Sequence, residues 1–479
     1  MFPLLSGILL ALTLPPFNLT FLAYVALVPL LFYVHRNMPE LRGWRAKLLF
    51  YRPVAVAGLL YTGWSLQSLL SVQVWWWMDS SSLLYEYRTL FMAVFLFLVA
   101  TLTGALFFVL FTWGYRTIVR MFSGHAVAAA AGAALVWVLL ELVRRLALGG
   151  LMWQELGFAW WNQEWIRQTI SVVSLPGASA VIVIVNYLGF QIFDRLGKRD
   201  YHQVRLLGFS LGILLIALGV SSYLIGSAHA DTTLNKKLVL HAVHSPFSTE
   251  DTVGLESYNF FAKKIDESLR DGANYIVLPE NVLPYLVYNE DTGNVEGYST
   301  VQSLFESLVK KTTKNPNSVL VMGMHTLSKG NRYNSSVFIQ KGKVTAVYHK
   351  RALLPLSELT PDLGPLTPVE FLTTGEGGSS IVHTAHGASQ PLLCSEVFYR
   401  NTYQRGKERA QVMLLSGNDS VFGNPQVAQR VKQIAIIRAI EERATIVNST
   451  KGTESWIIDS LGKQVSSGAD GETAKLYTF

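Results

Sequence analysis

Long runs of apolar residues fill the first 226 positions of this 479-residue chain and then stop. Seven can be marked, near 3–14, 18–35, 53–73, 89–113, 126–143, 169–193 and 205–226. A helix needs about 20 apolar residues to cross the hydrocarbon core of a bilayer. Inside that core every backbone amide must be bonded within the protein, which restricts spanning segments to helices or closed barrels. The sequence therefore predicts a multi-pass α-helical membrane domain of about seven spans over 1–230, followed by a water-soluble α/β domain over 231–479. The mean hydropathy of +0.29 averages these two unlike parts. The first run is short and ends at Pro15-Pro16, so a partial or tilted span is expected there. No basic residue precedes it and no small-residue cleavage site follows, which argues against a signal peptide.

Orientation follows from where lysine and arginine fall between the runs. Arg36, Arg42, Arg45, Lys47 and Arg52 follow the second run, Arg116 and Arg120 the fourth, and Arg195, Lys198, Arg199 and Arg205 the sixth. The alternate connections are poorer in basic residues. The basic loops are thus expected in the cytoplasm and the globular part outside. The net charge of +7 is then mostly a topology signal, and no basic-aromatic pattern suggests nucleic acid as a partner. Two outward connections, VWWWMD (74–79) and MWQELGFAWWNQEW (152–165), are rich in tryptophan. They read either as an aromatic belt at the headgroup level or as an entrance for lipid. Glu141 is the main charge within a span, with Arg144 and Arg145 one turn on to pair with it or to snorkel.

Beyond residue 237 short apolar runs alternate with helical patterns: KLVLHAV, NYIVLP, SVLVMGMH, SSVFIQ, KVTAVYH, PLLC, QVMLLS, ATIVNS and SWIIDS read as strands. Hairpins are expected at Lys341-Gly342 and Leu461-Gly462. Helical periodicity is clearest over 253–270 and over 425–443, where Pro425 stands near the start. Such mixtures build layered α/β domains. Three polar residues close strand-like runs: Glu280 after NYIVLP, Lys350 after KVTAVYH, and Cys394 ending PLLC. Strand ends are where open α/β sheets assemble their sites. Cys394 is the only cysteine, so it cannot form an internal disulfide, and inert packing or reactivity remains. A carboxylate that takes the thiol proton, an ammonium facing an oxyanion and a thiolate that attacks a carbonyl make an acyl-transfer set. The ten histidines show no metal-ligand spacing, and neither a metal nor a cofactor is expected.

LPENVLP (278–284), HKRALLPLSE (349–358) and LLCSE (392–396), in that order, resemble the Glu, Lys and Cys motifs of the nitrilase superfamily. Fused behind about seven spans, the arrangement is similar to the apolipoprotein N-acyltransferases of bacterial lipoprotein maturation. The likeness extends to LALTLPPFNLTFLAYVALVPLL, the segment around 141–153, YNSS (333–336) and RAIEERATIVNSTKG (438–452). It implies an αββα sandwich with Glu280 as general base, Lys350 as stabiliser of the oxyanion and thiolate, and Cys394 as nucleophile. It also implies Glu358 and Glu396 as supporting carboxylates. The implied reaction is ping-pong. Cys394 takes an acyl chain from a membrane phospholipid, with phosphatidylethanolamine the expected donor, and the thioester passes it to the α-amino group of a diacylglyceryl-cysteine. A monomer is expected. The segment 353–371 reads as a lid or lipid-facing loop.

The chain also departs from the family pattern. HAVHSPFSTED (241–251) stands where a Gln-x-Asn motif and a nearby tryptophan are usual, with His244-Ser245 at its centre. Ser395 replaces an aromatic, PLSE (355–358) replaces Pro-Phe-Gly-Glu, and Val447 replaces an arginine in a segment one residue shorter than usual. A last span after LYTF, general in the family, is not seen. These differences bear on acceptor and lipid contacts more than on the trio, and suit a divergent member. The competing readings are a membrane-tethered nitrilase-like amidase that uses water as acceptor, and a non-catalytic membrane-binding paralogue.

Overall fold

The computed structural model describes residues 1–37, 43–71, 85–122, 125–230, 238–247, 255–284, 286–353, 358, 372–376, 380–400, 408–422 and 424–477. The chain divides into two compact units, Met1–Ser71 with Leu90–Ala228, and Val72–Thr89 with His229–Phe479.

The first unit is helical: α1 (Phe2–Leu12), α2 (Val28–Arg36), α3 (Gly43–Leu66), α4 (Tyr85–Met121), α5 (Ala126–Ala147), α6 (Ile170–Gly197) and α7 (Tyr201–Ala230). Each of the seven apolar runs falls on one of these. Four stretches are long and apolar enough to cross a bilayer: Ala93–Met121, Ala126–Ala147, Arg167–Gly197 and Tyr201–His229. Phe2–Leu12 and Thr20–Arg36 are apolar but shorter, and α3 carries Arg45, Lys47 and Arg52 in its first half. The expected count of about seven spans therefore has four clear counterparts among the described residues.

Small residues bring these helices together, as they must where lipid removes the hydrophobic drive for association. A Cβ on Gly58 of α3 would lie 2.3 Å from the Gly104 carbonyl of α4. Side-chain amides add polar links: Asn186 donates to the Ala23 carbonyl at 2.7 Å and accepts from Leu27 N at 2.8 Å. Glu141 accepts from Trp137 Nε1 at 2.8 Å and Leu156 N at 2.7 Å. Of the two arginines read as pairing with it or snorkelling, Arg144 bonds Gln154 and Arg145 bonds Glu155. Trp160 is wholly buried, so it packs within the unit rather than serving in a belt, whereas Trp165 is 47% exposed. The other tryptophan run, 74–79, lies outside the described residues.

The second unit is an αββα sandwich. One sheet has the order β14-β1-β2-β5-β3-β4, with β6 on β5 and β7 on β6; the other runs β13-β12-β11-β10-β9-β8. In chain order the strands are β1 (Val239–Val243), β2 (Tyr275–Val277), β3 (Val287–Asn289), β4 (Asn294–Glu296), β5 (Val319–Ser328), β6 (Asn331–Gln340) and β7 (Lys343–His349). Then come β8 (Val382–Thr384), β9 (Gly387–Leu393), β10 (Val412–Ser416), β11 (Thr445–Ser449), β12 (Ser455–Ile458), β13 (Gln464–Gly468) and β14 (Thr473–Tyr477). Leu240, Val277, Val321 and Phe338 from the first sheet meet Val412, Leu414, Val447 and Ile457 from the second. The outer face of the first sheet is covered by α8 (Leu255–Arg270) and α9 (Ser299–Lys311), which supply Phe261, Ile265, Phe305 and Leu308. On the second sheet α10 (Pro425–Glu442) packs against β11 and β12. Pro425 opens α10 behind an Asn424 cap whose side chain accepts from Gln426 N, the position where a proline's missing N–H costs nothing.

Both hairpins are present. At Lys341-Gly342 the two central residues have φ of 54° and 75°, the left-handed pair that matches the twist of a two-residue hairpin. The turn around Leu461-Gly462 is wider, closed by Asp459 N bonding the Lys463 carbonyl at 2.9 Å.

Candidate active site

β9, β10 and β11 run parallel, with Leu393, Ser416 and Ser449 in register. Residues immediately past these strands therefore emerge together at one sheet end. Cys394 is the first residue past β9 and has a φ of 44°, a left-handed conformation that costs a residue with a side chain roughly 1–2 kcal/mol. It opens a short helical turn, Cys394–Phe398, which throws the thiol out of line with the strand.

Glu396 holds that turn. Its side chain is wholly buried and accepts from Leu393 N at 2.9 Å, Arg351 N at 2.8 Å and Tyr348 Oη at 2.9 Å. One carboxylate thus ties the cysteine turn to both sides of Lys350, the residue that follows β7.

Glu280 is fixed from two sheets. Its N–H bonds the Gly417 carbonyl at 3.2 Å, and the next residue, Asn281, bonds the Gly323 carbonyl at 2.9 Å. Gly323 allows this approach, since a Cβ there would lie 2.8 Å from the Glu280 Cα and 3.3 Å from Leu393 Cδ2. The same glycine also faces Leu393, the residue preceding the cysteine.

The polar side chains are linked. Asn334 Nδ2 donates to Glu280 Oε1 at 2.6 Å and to Glu358 Oε1 at 2.9 Å, and Lys350 Nζ donates to Glu358 at 2.8 Å. Lys350 N bonds the Asn334 carbonyl at 2.8 Å, so backbone and side chains of the two residues are locked together. Burial works against the Lys350 charge, but Glu358 and then Glu280 outweigh it and hold the ammonium above its ordinary pKa. Burial raises Glu280; Lys350 opposes this and Glu358 adds to it. Burial also pushes the Cys394 thiol up, Glu280 adds to the rise, and Lys350 counters it. The thiol is thus favoured in its protonated form, in the field of the Glu280 carboxyl group and the Lys350 ammonium. That set can move a proton and stabilise an anion without a preformed thiolate.

All five residues singled out in the sequence are thus gathered around the ends of β2, β7 and β9. The sequence reading gave no role to Asn334, which bridges the two carboxylates, or to Asp419 and Lys451, which lie past β10 and β11. Asn334 stands inside a buried strand beside Ser335 and Ser336; consecutive polar residues in a buried strand are the signal for such a network.

The departures from the family pattern have structural places. His244 Nδ1 accepts from Gly471 N at 3.0 Å, and Ser245 pairs with Lys451 in an isolated bridge. Val447 lies in the core between the sheets. Ser395 is 4% exposed, and its hydroxyl has no hydrogen-bond partner among the described residues. Of the expected lid, all but Leu353 and Glu358 lies outside the described residues.

Residues 6–188 match the family described as the apolipoprotein N-acyltransferase N-terminal domain, and residues 257–477 match the carbon-nitrogen hydrolase family. Proteins named apolipoprotein N-acyltransferase are similar along much of the chain. The Rickettsia prowazekii protein is 22% identical over 69% of this chain and 66% of its own length. Those of Geobacter metallireducens and Haemophilus influenzae are 23% and 22% identical, each over 96% of this chain and 84% of the relative. The chain therefore spans about two thirds of the length of the first relative and more of the others. Among solved structures, a nitrilase-superfamily amidase from Nesterenkonia AN1 aligns with a TM-score of 0.38 at 16% identity, over 50% of this chain and 90% of that one.

Proposed function

Because the chain belongs to the apolipoprotein N-acyltransferase family, we propose that it transfers a fatty acyl chain from a membrane phospholipid to the amino terminus of a diacylated lipoprotein. The observation that carries this reading is the hydrogen-bonded run Glu280–Asn334–Glu358–Lys350 beside the single thiol, in a chain that also carries membrane-length helices.

In the first half-reaction Cys394 Sγ attacks the ester carbonyl carbon while its proton passes to Glu280. The oxyanion faces the Lys350 ammonium. Collapse breaks the ester C–O bond, and Glu280 returns the proton to the departing lysophospholipid hydroxyl. In the second, the neutral α-amine attacks the thioester and gives a proton to Glu280. The C–S bond breaks, the amide forms, and the thiol is restored with that proton. Glu358 holds Lys350 charged and in place, and Glu396 holds the turn that presents the thiol. Preorganised charge of this kind is commonly a large share of acyl-transfer catalysis.

The division at residues 230 and 231 separates the membrane domain from the catalytic domain. The alternation of basic loops supports an inner-membrane, multi-pass topology with the catalytic domain on the periplasmic face. Phosphatidylethanolamine is the donor proposed, and a monomer suffices, since every residue of the scheme comes from one chain.

The test is mass spectrometry of the purified protein incubated with phosphatidylethanolamine, then with a diacylated lipopeptide. An acyl adduct on Cys394, lost when the lipopeptide becomes triacylated, supports the proposal. Release of free fatty acid alone would make the protein a hydrolase. An unchanged protein, identical to Cys394→Ala, would make it a non-catalytic binder.

A further inference from the structure

Lys451 is a charged residue that the acyl-transfer scheme leaves unused, and none of it reaches solvent. It stands two residues past β11, at the sheet end where Cys394 emerges from β9. Its backbone is held on two sides, by the bridge to Ser245 and by Asp419 N bonding its carbonyl at 3.1 Å. Its side chain turns inward, and Nζ donates to the Asn281 carbonyl at 2.7 Å. Asn281 follows Glu280 directly and has a φ of 53°, so the turn that aims Glu280 contains a left-handed residue that must be held from outside.

A buried ammonium is costly unless charge or several acceptors compensate it. One neutral carbonyl is a thin return for a wholly buried lysine. The compensating charge is Glu280, whose field raises the Lys451 pKa against the stronger lowering by burial, leaving it at about 8. The converse holds for Glu280. Burial and Glu358 press it toward the neutral acid, while Lys350 and Lys451 favour the carboxylate and Asn334 bonds it. Cys394 and Asp419 are the other ionisable groups within its electrostatic reach.

We propose that Lys451 is a positioning residue for the general base: its ammonium clamps the Asn281 carbonyl that aims Glu280, and its charge keeps Glu280 ionised. The inference rests on Glu280 being the base of the proposed acyl transfer. In this division of labour Lys350 faces the reacting atoms, and Lys451 acts only through Glu280.

The experiment measures the rate of Cys394 acyl-adduct formation against pH in the full-length protein, for the parent, Lys451→Met and Lys451→Gln. With the charge gone, the acid limb of the Met variant moves up by about one pH unit, the shift a nearby opposite charge produces. At pH values on the acid limb the rate falls about tenfold, and it recovers to the parent rate as the pH is raised. The Gln variant keeps a donor for the Asn281 carbonyl without the charge, shows the same displaced limb, and serves alone if the Met variant does not fold. A limb that stays at the parent pH in the folded variant, whether or not the rate drops, overturns the proposal, because a packing defect lowers the rate equally at every pH. Glu280→Gln separates this from the reading beneath it. If that variant forms the adduct with the parent's pH profile, Glu280 is not the base, whatever Lys451 does.

Discussion

Replacing Glu396 by alanine removes the acceptor of three short hydrogen bonds that converge from two directions, Leu393 N on one side and Arg351 N and Tyr348 Oη on the other, and of a longer one from Ala352 N at 3.4 Å. Hydrogen bonds to a charged group are worth roughly 1.5–3 kcal/mol each, so the gross loss is roughly 5–9 kcal/mol. Part of that is returned, because burial already disfavours the ionised carboxylate and pushes its pKa up. Breaking a buried charged contact in this way typically costs roughly 3–5 kcal/mol net. For a domain of this size each kcal/mol lowers the unfolding midpoint by about 2–4 °C, so a drop of roughly 10 °C is expected. The single cysteine provides the assay: a dye that fluoresces on reaction with thiols reports only Cys394 during a thermal ramp. Glu396→Gln should fall about halfway, since one amide oxygen still serves Arg351 and Tyr348 while the NH2 group meets Leu393 N. The rate of acyl-adduct formation should fall about 100-fold for the alanine variant, the cost of misplacing a reacting group by about 1 Å. An alanine variant that melts within about 2 °C of the parent and acylates normally would refute the claim that Glu396 holds the thiol turn.

Asn334→Ala leaves Glu280 and Glu358 without their common donor. The adduct rate should drop about 10- to 100-fold, and its acid limb should move to higher pH as Glu280 binds its proton more readily; stopped-flow acylation over a pH series checks both. Gly323→Ala forces a Cβ to within 2.8 Å of the Glu280 Cα, and the shift that relieves it should cost about 1–3 kcal/mol, read by denaturant unfolding, with acylation slowed in parallel. In the parent, the working form of Glu280 is the carboxylate and burial raises its pKa. Acylation should therefore decline as pH falls through a value above the ordinary carboxylate range of about 4, and be retained above it. Because burial raises the Cys394 thiol as well, iodoacetamide should alkylate it more slowly at about pH 8 than it alkylates a free cysteine, and Lys350→Met should slow it further.

The local code carries far in this chain. Apolar runs of near-helix length, interrupted by basic loops, dictate helices before 230, because a backbone in hydrocarbon has no other way to bond its amides. Alternating runs beyond 237, closed by turn pairs such as Lys341-Gly342, dictate strands and one of their pairings, and the polar residues Glu280, Lys350 and Cys394 mark strand ends. What sequence does not carry is the choice of partners across long separations. Asn334 bonds a carboxylate 54 positions away, and Lys451 a carbonyl 170 positions away. β14 closes the first sheet against β1 from the far end of the chain. Each contact depends on which strands lie side by side and in which register, and a period-two pattern of burial is the same for every register that keeps one face inside. The sequence by itself determined where the chain turns apolar, where it extends and which reactive groups it holds. Only the tertiary structure decided which of those groups share a site, because that depends on packing two sheets whose strands are scattered through the last half of the chain.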